Sequence, residues 1–298
     1  MDALSHALIA AIILLASGLP DFIPFAVLGA VIIDADILFA WISDSNPCLY
    51  FLTHGGIAHS IPGATVMSLL AYAVTGVLLI TGVIPSLVFI QAGIGGIFAV
   101  LAGAYLHVFI DYLACPGTPL FWPVSERKLT AGILPGPSVV LFLTSVFSLT
   151  LLALGAASLS GITGLFCTAL VLFLGVRVAL FLYVTLRYHN QGRLIPAIHR
   201  LCWLVIGETP RAFLVRHLVL FKGMTGTETF EKFNRTGEDE VRRYSQLPEV
   251  RRLKFHSYIV TAEKDGSTLV FSDPLREKGY VYYPPAFRRV AIPLKDTA

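Results

Sequence analysis

The sequence predicts an all-α polytopic membrane bundle of about five to six helices, followed by a small C-terminal α+β soluble domain of mainly antiparallel β-strands. Of the 298 residues, 55% are hydrophobic and 14% are charged, whereas soluble domains have about 45–50% apolar and about 25% charged residues. The basic residues are also unevenly distributed, because the first is Arg127 and 18 of the 22 follow residue 190. We therefore assign residues 1–188 to the bundle and residues 189–298 to a soluble domain.

Six apolar segments account for the bundle, since a membrane-spanning helix needs about 20 mostly apolar residues. The candidate spans are residues 3–18, 22–42, 61–82, 86–113, 138–160 and 162–187. The first is short enough to be a partial span. Short turns at 18–20, 82–85 and 160–161 make consecutive helices antiparallel neighbours. The longer connections, 43–60, 114–137 and 188 onward, are then expected at the opposite membrane face.

The C-terminal region has ordinary charge content and no candidate span. Asp265-Gly266 lies between two short β-prone runs, 258–262 and 268–271, and this pattern predicts a β-hairpin. Residues 280–283 and 289–292 are further predicted strands, and residues 238–246 are a predicted short helix.

The charge distribution predicts the orientation in the cell membrane. Arg127, Lys128 and Arg187 all lie at the face of the long connections, and the positive-inside rule places such a face in the cytoplasm. The C-terminal domain is therefore expected to be cytoplasmic. No basic residue precedes the first apolar run, so we expect a retained segment instead of a signal peptide. The four cysteines form no C-x-x-C pair, which indicates neither a zinc ribbon nor a redox motif.

Ionisable residues inside an apolar block are the main functional signal. A charge at the bilayer centre costs on the order of 3 kcal/mol, so such residues are usually paired and functional. The first 115 residues contain seven candidates, which the predicted topology brings to one face: His6, Asp34, Asp36, His54, His59, His107 and Asp111. His107 and Asp111 share one helix face at i, i+4 spacing. Asp34 and Asp36 can reach one site only if their helix ends there.

Imidazole and carboxylate groups are the ligands expected for Zn²⁺ or a similar ion such as Mn²⁺. Seven candidates exceed the needs of one tetrahedral ion, so a two-metal centre that activates water against an ester or phosphoester fits the count better. A bound cation would also supply the positive charge that residues 1–126 lack. The alternatives are hydrogen-bonded core histidines and a proton or cation path in a transporter.

Several short motifs resemble those of a known family in the same order. They are Ser5-His6, LGAVIIDAD at 28–36, HGGIAHS at 54–60, YLHVFIDY at 105–112 and GTPLFWP at 117–123. They are similar to the TH, LGxxxPDxD, HRGxTHS, HxxxD and GTPLLYPF motifs of the YdjM-like membrane-bound, metal-dependent hydrolases. The resemblance covers about residues 1–125.

This resemblance implies a metal-dependent hydrolase distantly related to zinc-dependent phospholipase C and P1 nuclease, which cleave phosphoesters. It implies that the ligands are His6, Asp34, His59, His107 and Asp111, with Asp36 and His54 as further candidates. Ile33, Gly55 and Ala58 replace the family's Pro, Arg and Thr. An Arg at position 55 could hold a substrate phosphate, so its absence leaves the substrate open.

The sequence thus predicts an integral membrane hydrolase with one or two zinc or manganese ions, which cleaves a phosphoester or ester of a lipid or membrane-associated substrate. The expected metal ligands are His6, Asp34, His54, His59, His107 and Asp111. Asp34 or Asp36 would act as general base or bridging ligand, and Arg127 and Lys128 would attract an anionic headgroup. Membrane lipid is the expected partner, and no nucleic acid is expected. The alternative functions are an ion-binding transporter or channel and a non-catalytic membrane scaffold.

Overall fold

A computed structural model of the protein describes residues 2–83, 93–136, 138–197, 201–281 and 288–294. These residues divide into two compact units. The first, which we call the membrane unit, comprises Met1–Ala40 and Leu52–Leu180. The second, which we call the C-terminal unit, comprises Trp41–Phe51 and Phe181–Ala298.

The membrane unit is helical. Its helices are α1 (Ala3–Ala16), α2 (Ile23–Ile32), α4 (Ile61–Ile80), α5 (Ile94–Tyr112), α6 (Val139–Ala153) and α7 (Leu159–Tyr188), the last of which continues into the C-terminal unit. Within the described residues, four helical stretches are long and apolar enough to cross a membrane: Pro20–Ser45, Ile61–Ile80, Ile94–Tyr112 and Leu159–Gln191. Helices α1 and α6 are shorter apolar helices. The predicted helical bundle is therefore confirmed.

The second apolar segment is not one continuous α-helix. Helix α2 ends at Ile32, and a 3₁₀-helix follows at Ile33–Phe39 before α3 (Ala40–Ser45). A 3₁₀-helix has about three residues per turn, so it presents its side chains in different directions from an α-helix. The change from α-helix to 3₁₀-helix occurs just before Asp34 and Asp36. The α-helix therefore ends there, which is the condition for both carboxylates to reach one site.

Helices α2 and α5 pack with their backbones in contact, since small residues line their interface. A Cβ atom at Gly29 would collide with the carbonyl oxygen of Val100, and one at Gly103 would collide with that of Ala26. Small residues commonly allow such close approach between membrane helices. This pair of helices fixes the position of the 3₁₀-helix relative to the last turns of α5.

The C-terminal unit contains two four-stranded sheets with the orders β1-β2-β3-β4 and β5-β6-β7-β8. Their strands are β1 (Arg193–Pro196), β2 (Cys202–Glu208), β3 (Ala212–Val219), β4 (Gly223–Glu231), β5 (Phe233–Asn234), β6 (Thr261–Asp265), β7 (Thr268–Ser272) and β8 (Arg289–Pro293). All pairs are antiparallel except β5–β6. Three short helices, α8 (Glu238–Tyr244), α9 (Pro248–His256) and α10 (Pro274–Glu277), complete the unit. The predicted α+β class is confirmed.

Individual predictions in this unit have different outcomes. The hairpin around Asp265-Gly266 is confirmed by the β6–β7 pair, as are the short helix α8 and strand β8. Tyr280 and Val281 are not in a strand, and positions 282–283 of that prediction lie outside the described residues. The strands of the first sheet, β1 to β4, are not among the predicted elements.

Residues 41–51 belong to the C-terminal unit although they precede α4 in the sequence. The Arg251 guanidinium donates to the Tyr50 hydroxyl at 2.6 Å, and Arg252 donates to the Ser43 carbonyl oxygen at 2.9 Å. Helix α9 therefore contacts this segment by its polar face, while its apolar face, Val250 and Leu253, packs on the second sheet.

Candidate metal centre

The last turns of α5 deliver two candidate ligands to one place. His107 and Asp111 are one helical turn apart, with His107 Nε2 3.5 Å from Asp111 Oδ2. The buried His107 ring contacts the Ala30 carbonyl oxygen through Nδ1 at 2.6 Å. Because a carbonyl only accepts, Nδ1 carries the proton and Nε2 keeps its lone pair. Helix α2 thus sets the tautomer and the direction of the His107 ring.

His59 enters the cluster from the tight turn before α4. It ends the 3₁₀ turn Ile57–His59, and Gly55 precedes that turn with a φ of 72° that few other residues tolerate. Ser60 then caps α4, since its hydroxyl accepts the Gly63 N–H at 3.0 Å. The His59 ring is buried and approaches His107 with 3.2 Å between the two Nε2 atoms.

The 3₁₀-helix supplies the two carboxylates. Asp34 Oδ1 lies 3.6 Å from His59 Nε2 and 3.5 Å from His107 Nε2. That oxygen is buried and has no hydrogen-bond donor among the described residues. Asp36 faces other atoms, because its Oδ1 lies 2.7 Å from His54 Nδ1 and its Oδ2 lies 3.0 Å from His59 Nδ1. Its Oδ2 also accepts the Gly55 N–H at 3.2 Å.

Four ligand atoms converge on one point, namely Asp34 Oδ1, His59 Nε2, His107 Nε2 and Asp111 Oδ2. Five of their separations lie between 3.2 and 3.6 Å. Zinc–nitrogen and zinc–oxygen bonds of about 2.0–2.2 Å in a tetrahedron give ligand separations of about 3.3–3.6 Å. Five of the six separations therefore have about the values expected for the ligands of a tetrahedral divalent ion.

A second group, Asp36, His54 and His59, has closer contacts. The 2.7 Å contact between His54 Nδ1 and Asp36 Oδ1 is a hydrogen bond. Such an arrangement, in which a carboxylate faces the remote nitrogen of a metal-binding histidine, orients the ring in many metal sites. Asp36 thus contacts the outer sides of both His54 and His59.

His6 lies at the edge of the cluster and belongs to neither group of converging atoms. Its ring stacks on that of His107 with 3.7 Å between centroids, and its Nε2 lies 3.3 Å from Asp111 Oδ1. The two oxygens of Asp111 thus face different rings, since Oδ1 faces His6 and Oδ2 faces His107. His6 therefore packs against His107 and lies close to Asp111, and neither of its buried ring nitrogens has a hydrogen-bond partner among the described residues.

The two predicted headgroup-binding residues follow a loop that packs beside the site. Within this loop, Leu120 packs near Ile33 and Ala58, and its carbonyl oxygen accepts the Ile61 N–H at 3.0 Å. Arg127 is exposed and Lys128 is half-buried. Neither belongs to the two groups of converging ligand atoms.

Two backbone groups also organise the cluster, and no residue pattern in the sequence predicts them. The Ala30 carbonyl contacts His107, and the Gly55 N–H binds Asp36. Gly29 and Gly103 are the sequence feature that could have indicated the close contact between α2 and α5. The residue type at position 30 could not indicate that its backbone carbonyl contacts His107, because every residue has such a carbonyl.

A family model described as "YdjM inner membrane protein" matches residues 1–188. The chain belongs to this family. The matched region contains all seven clustered His and Asp residues and ends at Tyr188, the last residue of α7. The searches among curated proteins and among solved structures found no match. Family membership and the apolar helices together identify a multi-pass membrane protein with a His/Asp group that could bind a metal ion.

Proposed function

We propose that this YdjM-family protein is an integral membrane hydrolase with one divalent ion, Zn²⁺ first and Mn²⁺ second, held by Asp34, His59, His107 and Asp111. The observation that carries the proposal is the tetrahedral spacing of their four ligand atoms. Nitrogen and oxygen donors in this geometry are typical of zinc. Nothing in the spacing requires a second ion.

The electrostatics of the cluster support a bound cation. The Asp34 and Asp111 carboxylates lie 3.6 and 3.4 Å from the same atom, His59 Nε2. Both carboxylates therefore bring negative charge to one buried place, where charges need a partner or a metal ion. Residues 1–126 contain no Lys or Arg to offset them. A divalent ion would offset both charges and provide a partner for the buried Asp34 Oδ1.

When bound, such an ion polarises a phosphoryl or carbonyl oxygen and lowers the pKa of a water molecule. The chain's own residues would hold and move protons around it. Asp36 accepts the His54 Nδ1 proton at 2.7 Å, which leaves His54 Nε2 as a proton acceptor. His54 is the most exposed of the clustered side chains, at 28%, as a group that meets substrate should be. In this proposal Asp34 is a ligand and Asp36 is a positioning residue.

We further propose that the substrate is a phosphoester or ester of a lipid or membrane-associated molecule. The support is the position of two of the proposed ligands, His59 and Asp111, at the ends of candidate spans, while Asp34 lies inside the stretch Pro20–Ser45. His59 lies two residues before the start of α4, and Asp111 is one residue from the end of α5. Helix ends of spanning segments lie near lipid headgroups. Arg127 and Lys128, which the predicted topology places at the same membrane face, would attract an anionic headgroup.

The cytoplasm is the proposed location of this face and of the C-terminal unit. The support is the Arg127-Lys128 pair and Arg187, which flank spans on that side. A phosphatase–fluorescent-protein reporter fused at residue 298 tests the orientation. Fluorescence without phosphatase activity is expected, and the reverse would show an external C-terminus.

Metal analysis tests the centre directly. Protein purified in detergent should contain about one zinc or manganese per chain, since four ligands satisfy one tetrahedral ion. The variants His107→Ala and Asp111→Asn should lose it, together with turnover of bis(p-nitrophenyl) phosphate. His189→Ala, an exposed histidine outside the cluster, is the matched control and should keep both.

Three outcomes would contradict the proposal. Full metal content in both ligand variants would refute the site. Two ions in the wild-type protein would refute the single-ion arrangement. Metal-dependent ion flux in liposomes, with no hydrolysis of phosphodiesters or esters, would show a transporter instead.

A further inference from the structure

An apolar cavity of about 230 Å³ lies beside the metal-ligand cluster, within the membrane unit. Its walls come from the 3₁₀-helix, the turn before α4, the first turns of α4 and the loop that carries Trp122. Its lining includes Asp36, Phe39, Ile57, Val66, Met67 and Trp122. Asp36 is the only charged residue in its lining.

The chemistry of the walls excludes a polar occupant. Apart from Asp36 and Thr53, the lining side chains are apolar, and both Asp36 and Thr53 are themselves buried. A water molecule in a cavity needs two to four polar partners, whereas apolar cavities stay dry or take up apolar ligands. The cavity therefore suits a hydrocarbon chain.

The cavity opens on the face of a candidate membrane span. Val66, on α4, is 56% exposed, and Phe39 is 38% exposed. Exposed apolar side chains on a spanning helix contact lipid tails. The apolar molecules next to this opening are thus membrane lipids, and the part of them that lies there is the acyl chain.

The inner end of the cavity reaches the cluster. Asp36 lines the cavity and lies 3.0 Å from His59 Nδ1. Ile57 and Ala58, which also line it, immediately precede His59 in the same 3₁₀ turn. A chain seated here would have its polar end one side chain away from the four ligand atoms.

The wall that carries Trp122 is anchored. The Leu120 carbonyl oxygen accepts the Ile61 N–H at 3.0 Å, and Leu120 packs against a buried cluster that includes Ile33 and Ala58. The loop is therefore attached to the start of α4 and to the residues beside His59. This attachment keeps Trp122 at the cavity, where it can report on an occupant.

We propose that this cavity binds one acyl chain of a membrane lipid and thereby presents the lipid's ester or phosphoester group to the metal centre. The binding site is independent of any catalysis, whereas its role in substrate presentation rests on the proposed function. The chemical class that it selects is a lipid with a flexible hydrocarbon tail, in preference to a water-soluble phosphoester.

Fluorescence quenching tests the binding without any turnover. The variant Trp41→Phe/Trp203→Phe leaves Trp122 as the single tryptophan of the chain. It is placed in nanodiscs of phosphatidylcholine that contain a fraction of lipid with dibrominated acyl chains, since bromine quenches tryptophan on contact. Adding Val66→Phe should reduce the quenching of Trp122 by about half, because the larger side chain occupies space in the cavity.

Val77→Phe is the matched control, since it introduces the same change on the same face of α4 three turns further along. Val77 is 59% exposed and does not line the cavity, so the quenching should stay at the wild-type level. Equal quenching in the Val66→Phe and Val77→Phe proteins would overturn the proposal. If the double Trp variant folds poorly, Trp122→Phe in the unmodified background gives the share of quenching due to Trp122.

A hydrolysis assay separates this inference from the proposed function. If the quenching difference holds but the protein hydrolyses neither bis(p-nitrophenyl) phosphate nor phospholipid, the lipid site stands and the hydrolase proposal fails. If both are hydrolysed and the quenching difference is absent, the hydrolase stands and the acyl-chain site fails.

Discussion

Buried carboxylates occur in both units of the molecule, and their surroundings differ. In the C-terminal unit, Asp273 is fully buried with Arg276, and Arg276 Nη1 donates to Asp273 Oδ2 at 3.0 Å. The same guanidinium donates to the His256 carbonyl oxygen at 2.5 Å. Burial raises the pKa of Asp273, and the charge of Arg276 opposes this effect. Here the chain encodes both charges of the pair, three residues apart.

In the membrane unit, by contrast, Asp34 and Asp36 face histidine rings. A histidine that keeps its lone pair for a metal contributes no charge. Arg177 is the buried basic residue of the described part of this unit, and its guanidinium donates to the Ile133 carbonyl oxygen at 3.0 Å. The C-terminal unit thus pairs its buried carboxylate with a cation of its own chain, whereas the carboxylates of the membrane unit belong to a His/Asp group that could bind a metal ion.

The largest effect is expected when the internal pair is broken. Asp273→Ala should destabilise the C-terminal unit by about 3–5 kcal/mol, because it leaves the Arg276 charge buried without its carboxylate. Urea unfolding followed by the fluorescence of buried Trp203 measures the loss. Metal content should not change. Asp273→Leu/Arg276→Met, which removes both charges, should recover most of the stability, and failure to recover would show that the pair acts by more than charge.

Metal removal should produce the next largest effect, and only in the membrane unit. At a free zinc concentration of 100 times Kd, the stabilisation is about 2.7 kcal/mol. Thermal unfolding with and without a chelator should show this shift in wild type and not in His107→Ala. An equal shift in both proteins would place the metal elsewhere.

A smaller effect is expected from the residue behind the ligands. Asp36→Asn should weaken zinc binding by about 10–100-fold, since outer carboxylates orient metal-binding histidines. Competition with a fluorescent zinc chelator measures the affinity. Asp21→Asn, in the short turn between α1 and α2, is the control and should bind normally. Unchanged affinity in Asp36→Asn would show that His59 is oriented without it.

The smallest effect should come from an ion pair whose carboxylate is exposed, because water already compensates the charge of that glutamate. Lys232 Nζ lies 2.6 Å from Glu208 Oε1 at the surface of the first sheet. Glu208→Gln should change the stability of the C-terminal unit by about 0–1 kcal/mol. A loss as large as that of Asp273→Ala would mean that exposure does not separate these pairs.

Much of the fold followed from local patterns in the sequence. The apolar runs gave the helices of the membrane unit, and Asp265-Gly266 gave the β6–β7 hairpin, because these signals depend on neighbouring residues alone. The first sheet was harder, since strands such as β4 (GMTGTETFE) lack a simple alternation of apolar and polar residues. Membership of Tyr50 in the C-terminal unit depends on Arg251, 201 positions away, and no local pattern could show it.

The candidate site was partly predictable for the same reason. The topology grouped the histidines and aspartates because the ends of antiparallel helices meet. The topology could not separate Asp34, whose Oδ1 is one of the four converging atoms, from Asp36, which contacts the Nδ1 atoms of His54 and His59. That distinction depends on the residue at which α2 ends and the 3₁₀-helix begins. A shift of this boundary by one residue would turn both carboxylates in other directions.

The four proposed ligand residues lie in parts of the sequence that are far apart, so an ion bound to all of them would cross-link the chain. They come from three separate stretches of chain, around Asp34, His59 and the His107–Asp111 turn, so one ion bound to all of them closes two large loops of the polypeptide. Among the described residues, the four cysteines form no disulfide bond. An ion at this position would therefore be the cross-link of the N-terminal half of the chain, restricting its unfolded states as a disulfide does in a secreted protein.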